Sequence, residues 1–223
     1  MRPRVIREGV YWVGAVDWDR RLFDALVPIP DGTSYNAYLV QGEEKTALLD
    51  TVDPSMADQL ADHLSGIPRV DYVVAHHAEQ DHSGSIPRVL RLYPEARVVC
   101  TPKCKDMLVN LLHIDGERIT SVEDGDSIDL GGRTLRFVHA PWVHWPETMF
   151  SYLEEDKILF TCDFLGSHLA TSSLYFEEGL IEEASAKRYF AEIMMPFSNM
   201  IVRNLDKISS YDIEIVAPSH GPI

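Results

Sequence analysis

Four residues able to grip a metal ion fall within one short stretch of the chain. They are His77, Glu79, Asp81 and His82, in His76-His77-Ala78-Glu79-Gln80-Asp81-His82. Imidazole nitrogens mixed with carboxylate oxygens suit transition metals, whereas calcium and magnesium favour oxygen ligands. The preceding Val70-Asp71-Tyr72-Val73-Val74-Ala75 is short and β-branched and reads as a buried strand. The following Ser83 to Leu90 reads as the start of a helix that runs to about Tyr93. The ligands therefore sit on a strand-to-helix turn, where α/β proteins place their chemistry.

Three further candidates occupy the same kind of position. His144 comes after the strand-like Leu135-Arg136-Phe137-Val138, Asp163 after Ile158-Leu159-Phe160-Thr161-Cys162, and His220 after the run ending at Ala217. If those strands lie side by side, all these side chains converge on one rim, four imidazoles and three carboxylates, enough for two metals. One partition gives His77, Glu79 and His144 to the first metal and Asp81, His82 and His220 to the second, with Asp163 bridging. Each metal then holds two imidazoles and one terminal carboxylate, with open positions. That set is associated with non-haem iron and oxygen chemistry; a hydrolytic zinc site more typically has a third imidazole where Glu79 stands. Three carboxylates nearly neutralise two divalent ions and, with an oxo or hydroxo bridge, accommodate two trivalent ones, so the set tolerates redox change. Asp50, at the strand end Leu48-Leu49-Asp50-Thr51, reads either as a turn residue or as a carboxylate that orients a ligand imidazole through its free N–H. His168 reads either as packing or as a support behind the ligands. His63 and His113 read as structural, and His76 and His139 as packing or support.

The elements that must position these groups follow from the apolar pattern. Val10 to Val16 reads as one strand, 17–34 as irregular, Asn36 to Val40 and Thr46 to Leu49 as a hairpin. A helix starts at Asp53-Pro54-Ser55, with Met56, Leu60, Leu64 and Ile67 on one face. Val98-Val99-Cys100 is a strand, and Thr101-Pro102 opens a helix. Met149 to Leu153 and Lys157 to Thr161 form a second hairpin. A long helix is expected from Glu182 to about Met195, broken by Pro196, with another to about Ser209 and a last strand at Glu214 to Ala217. This order predicts an α/β chain of two sheets sandwiched between helices, one domain over 1–223.

Composition narrows the function classes. Apolar residues make up 45% of 223, enough for a full core, which excludes a disordered chain. A net charge of -15 argues against nucleic acid as partner. Cys100, Cys104 and Cys162 are odd in number and form no C-x-x-C pair, which points to a reduced, cytoplasmic chain without a disulfide framework. The start, Met1 to Glu8, has no apolar signal segment, and no run approaches a membrane span.

The ligand pattern His77-x-Glu79-x-Asp81-His82, then His144, Asp163 and His220, resembles the diiron signature of the flavodiiron proteins. Trp18-Asp19-Arg20-Arg21, Thr33-Ser34-Tyr35-Asn36-Ala37-Tyr38, His144-Trp145-Pro146-Glu147-Thr148-Met149 and Pro218-Ser219-His220-Gly221 extend the resemblance along the chain. It implies an αββα metallo-β-lactamase-like sandwich with two mixed sheets, a bridged pair of iron ions, and reduction of dioxygen to water or of nitric oxide to nitrous oxide. It also implies a head-to-tail homodimer in which flavin feeds the irons. Two departures stand out. The sequence stops three residues after His220, so the expectation is of a chain without the flavodoxin-like domain, served by a separate flavoprotein or rubredoxin-like electron donor. Asp24 stands where many members have a histidine near the open iron face, and Cys162 replaces a more usual asparagine. Two ferrous ions alone carry dioxygen only to peroxide. The alternatives are an oxygen-binding or sensing module with little turnover, the core of a longer protein, or a dinuclear zinc hydrolase on the same fold.

Overall fold

The computed structural model describes residues 2–223. Two sheets form the centre. The first has seven strands, in spatial order Arg4–Arg7, Val10–Trp12, Tyr38–Gln41, Thr46–Leu49, Tyr72–Val74, Arg97–Cys100 and Ile119–Ser121. It is antiparallel as far as Thr46–Leu49 and parallel beyond, so Thr46–Leu49, Tyr72–Val74 and Arg97–Cys100 end at the same rim. The second sheet has five strands, Ser127–Asp129, Thr134–His139, Met149–Leu153, Ile158–Cys162 and Ile215–Pro218, with the last pair parallel.

Alternation of side chains along each strand splits the apolar residues into layers. Leu39, Leu48, Val73 and Val98 face outward from the first sheet onto Leu60, Leu64, Ile86, Val89 and Leu108 of the helices. Val40, Leu49, Val74 and Val99 face inward and meet Leu135, Phe137, Met149, Leu153 and Phe160 of the second sheet. Val138, Phe150 and Leu159 on the far side pack against Tyr189, Met194, Ile201 and Ile208. Each buried aliphatic or aromatic side chain of this kind contributes roughly 1.5–3 kcal/mol of transfer free energy. The layers are thus helix, sheet, sheet, helix, the αββα sandwich.

Several local expectations are revised. The first strand divides into Val10–Trp12 and Ala15–Asp17. Gly14 lies between them because any Cβ there would collide with the Tyr35 carbonyl. The 17–34 region holds two small antiparallel pairings, Ala15–Asp17 with Thr33–Tyr35 and Leu22–Phe23 with Val27–Pro28. Pro54–Met56 is a 3-10 turn before the Ala57–Leu64 helix. The helix expected from Ser83 splits into Gln80–Ser83 and Ile86–Leu92, so Asp81 and His82 stand on a helical turn. The helix expected from Glu182 is Leu180–Tyr189, which unwinds through a π-turn at Phe190–Met194 and a 3-10 turn at Met195–Phe197. Proline at 196 has no N–H to continue the ladder, and the Ser198–Ile208 helix begins afresh. Among the described residues no helix is long and apolar enough to cross a membrane.

Candidate metal centre

The seven side chains meet at the rim where the two sheets end. His77 to His82 arrive just after the Tyr72–Val74 strand of the first sheet. Asp163 follows Ile158–Cys162 and His220 follows Ile215–Pro218, neighbouring strands of the second sheet. His144 comes from the 140–148 connection between Thr134–His139 and Met149–Leu153. Ligand atoms of His77, Glu79, His144 and Asp163 all lie within 4.8 Å of one another, and so do those of Asp81, His82 and His220.

Asp163 joins the two groups. Its Oδ2 is 3.6 Å from His77 Nε2 and 3.4 Å from His144 Nε2. Its Oδ1 is 3.1 Å from His82 Nε2 and 3.2 Å from His220 Nε2. Glu79 Oε2 closes the first group, 3.0 Å from His77 Nε2 and 3.3 Å from His144 Nε2. Asp81 closes the second, with Oδ2 3.1 Å from His220 Nε2.

The donor atoms fit a pair of transition-metal ions. Both carboxylate oxygens of Asp81 and the Nε2 of His82 are buried without a hydrogen-bond partner, although charged or polar neighbours lie close. Unpaired buried polar atoms cost free energy, and these belong to a group whose ligand atoms all lie within 4.8 Å of one another. Two ligand rings present Nε2 inward because Nδ1 is occupied. His77 Nδ1 lies 2.6 Å from Glu147 Oε1, and His220 Nδ1 lies 2.7 Å from the Ser34 carbonyl. Both Nδ1 positions match N–H groups donated to a supporting oxygen.

Electrostatics follow the same division. Burial lowers the His220 and His144 pKa values, but the neighbouring carboxylates win and raise them to about 10 and about 9. Burial alone would raise Asp163, yet the surrounding imidazoles, His82 foremost, hold it well below the usual range. Glu79 is held low in the same way by His144 and His77. The carboxylates thus favour protons on these imidazoles, and a metal would compete with those protons to bind.

The surrounding candidates divide. His168 is 3% exposed and lines the cavity of about 290 Å³ over the centre. Its Nδ1 is 2.8 Å from Thr33 Oγ1, and its Nε2 has no partner. Asp24 stands at the cavity mouth, its carboxyl pushed up to about 6 by burial and then by Glu79. Asp50 faces two imidazoles, that of His76 and that of the ligand His82. It takes His76 Nδ1 at 2.7 Å and the His76 backbone N–H at 2.8 Å, and His76 Nε2 reaches Ser151 Oγ at 2.7 Å. His76 is outside both metal groups, so through it Asp50 anchors the segment, while the same carboxylate lies within 4.8 Å of a ring nitrogen of His82. Two supports lie outside the ligand pattern. Glu147 is hidden in the Trp145-Pro146-Glu147-Thr148 turn, and Tyr189 is on a distant helix with its hydroxyl donating to Asp163 Oδ1 at 2.9 Å. The glutamate three residues after His144 was the one available hint.

An αββα sandwich with paired imidazole–carboxylate groups at the sheet rim defines a metallo-β-lactamase-like domain built for two metals. The chain belongs to the ODP family beta lactamases, whose sequence profile matches residues 33–221. It is 43% identical over 232 residues to the nitric oxide reductase of Moorella thermoacetica, across 100% of this chain and 57% of that protein. Its structure is similar to the flavodiiron protein from Giardia intestinalis, with TM-score 0.94 and 32% identity over 100% of this chain and 55% of that one. It is similar again to the rubredoxin oxygen:oxidoreductase of Desulfovibrio gigas, with TM-score 0.94 and 28% identity over 99% and 56%. The chain thus spans about half the length of the relatives it matches.

Proposed function

We propose that this chain is a non-haem diiron domain, continuous over 1–223, that reduces dioxygen or nitric oxide with electrons from an external flavoprotein or rubredoxin-like donor. The observation that carries the reading is Asp163, which turns one oxygen toward each ligand group. His77, Glu79 and His144 would hold one iron, Asp81, His82 and His220 the other, with Asp163 between them. When bound, such a pair would supply electrons to a small gas molecule. The names of the nitric oxide reductase and the rubredoxin oxygen:oxidoreductase support both gases and the donor class.

The chain's own residues do the remaining work. Glu147 and Ser34 fix two ligand rings. Phe23, Val27, Ile193 and Phe197 wall the cavity and limit water. His168 offers its unpaired Nε2 to whatever lies above the centre, and Asp24 at the mouth holds or releases a proton near neutral pH. In this reading the protein is cytoplasmic, with three free cysteines, and works as a homodimer.

Anaerobic purification, metal analysis and gas uptake with a reduced viologen test the proposal. Two irons per chain and donor-dependent consumption of dioxygen or nitric oxide are expected. Two zinc ions with hydrolytic activity overturn it. Iron that binds dioxygen without donor-driven uptake converts the reading to an oxygen-binding module.

A further inference from the structure

Two ions must reach a rim where His77, Asp81 and His82 are at most 2% exposed. The cavity of about 290 Å³ opens onto one edge of each group: Glu79 and His144 of the first, His220 of the second, and Asp163 of both. Three more groups able to ligate line the same cavity and belong to neither set, His168, Asp24 and Glu192. The His168 ring stands beside the ligand His220, centroids 4.8 Å apart, and against Phe23 at 4.6 Å. The Thr33 hydroxyl gives its hydrogen to the Ser34 carbonyl at 3.2 Å, so Thr33 Oγ1 accepts from His168 Nδ1 at 2.8 Å. A neutral ring then bears its lone pair on Nε2, and that atom is buried without a partner among the described residues. Leaving a buried imidazole nitrogen unpaired costs free energy. Dioxygen and nitric oxide carry no hydrogen to give it, whereas a transition-metal ion bonds to such a nitrogen.

Asp24 and Glu192 reach the cavity from irregular backbone. Asp24 opens a tight turn, left-handed at Asp24 and Ala25, which Leu26 N closes by donating to the Phe23 carbonyl at 3.0 Å. Glu192 lies in the π-turn Phe190–Met194, a helical form that recurs at functional sites. Both residues are exposed whereas His168 is buried, which orders the three from mouth to interior. Carboxylates at an opening raise the local concentration of cations, and an imidazole deeper in exchanges one bound water for nitrogen. The three do not make a compact group. Ligand atoms within each set of the centre lie within 4.8 Å of one another, and among the described residues no such group contains His168, Asp24 or Glu192. Dispersed ligands catch an ion without keeping it, which is the property of a relay.

We propose that Asp24, Glu192 and His168 form a relay that admits divalent transition-metal ions to the centre, capturing each ion at the mouth and passing it to the ligands that line the cavity. The proposal rests on the diiron reading above. One opening then serves the ions during assembly and the gas afterwards. A relay lowers the barrier between solution and centre from both directions. It therefore speeds entry and escape by the same factor and leaves the final affinity untouched, whereas a ligand changes the affinity itself.

The test loads the metal-free chain with Co²⁺ alone under argon and follows the visible bands of the bound ion by stopped flow, with release read in excess chelator. Wild type should take up two ions per chain. His168→Phe should slow loading and release alike, about tenfold at either salt, and reach the same affinity. Glu192→Gln should slow both about twofold to threefold at low salt and little at high salt. Asp58→Asn removes an equal charge from the Ala57–Leu64 helix, outside the cavity, and should match wild type. Wild-type rates in His168→Phe overturn the relay. So does a loss of affinity at an unchanged loading rate, which makes His168 a ligand. A third Co²⁺ held by wild type and lost in His168→Phe assigns a resident site and also overturns it. If His168→Phe does not fold, Glu192→Gln decides alone: a low-salt rate equal to that of Asp58→Asn overturns the proposal. Fewer than two ions per chain in wild type refutes the dinuclear centre itself, while the loading rates of the ion that does bind still decide the relay.

Discussion

Replacing Glu147 by Gln isolates one support of one metal position. Glu147 Oε1 lies 2.6 Å from His77 Nδ1 and accepts the Ala78 backbone N–H at 3.0 Å, and the residue is 2% exposed. The substitution keeps the shape and removes the charge, so the N–H of His77 donates to a neutral oxygen and the ring becomes a weaker ligand. Loss of such a support costs about ten- to hundredfold in metal affinity, which corresponds to about 1.4–2.8 kcal/mol. The folded chain loses about 1–3 kcal/mol of stability from the weakened buried hydrogen bonds. A domain of this size converts that to roughly 2–4 °C of melting temperature per kcal/mol. The assay is competition with a chelator, following metal content per chain. The group containing His77 should empty first while Asp81, His82 and His220 keep their ion, so a plateau near half occupancy is expected. Chelation curves that superimpose on wild type, or equal loss from both positions, would refute the reasoning that Glu147 acts through His77.

Asp163→Ala should remove both ions together, because the carboxylate faces both groups; metal analysis showing one ion retained contradicts the bridging role. Tyr189→Phe deletes one hydrogen bond to Asp163 Oδ1 and should cost about 0.5–1.5 kcal/mol in urea unfolding while both metals stay. The metal-free chain should lose thermal stability as pH rises. His144 and His220 are raised to about 9 and about 10 from 6.5, so their contribution is complete below about 6.5 and disappears as pH climbs through those values. Calorimetric scans in chelator at about pH 6, 8 and 10 check this; a flat or rising melting temperature would count against it, and the metal-loaded chain should not show the same fall.

The ligands were legible because each follows an apolar strand, and parallel pairing brings strand ends to one edge. Val73, Phe160 and Ala217 mark their strands by composition, and His77, Asp163 and His220 come just beyond. The supports were not, since Glu147 and Tyr189 sit in a turn and on a helix whose sequences carry no periodic mark of the centre. Asp50 illustrates a subtler limit. Its place at a strand end was readable, but whether it would reach a ligand ring or His76 depends on side-chain directions that spacing does not encode. The 15–35 segment was not readable because its pairings are only two or three residues long and carry no apolar rhythm.

Because the ligands come from both sheets, the centre is also a fastener across the seam between them. Hydrogen exchange at the rim-end amides near Val74 and Phe160 should therefore slow in concert when metal is present. Emptying the centre would let that margin breathe while the opposite edge stays shut.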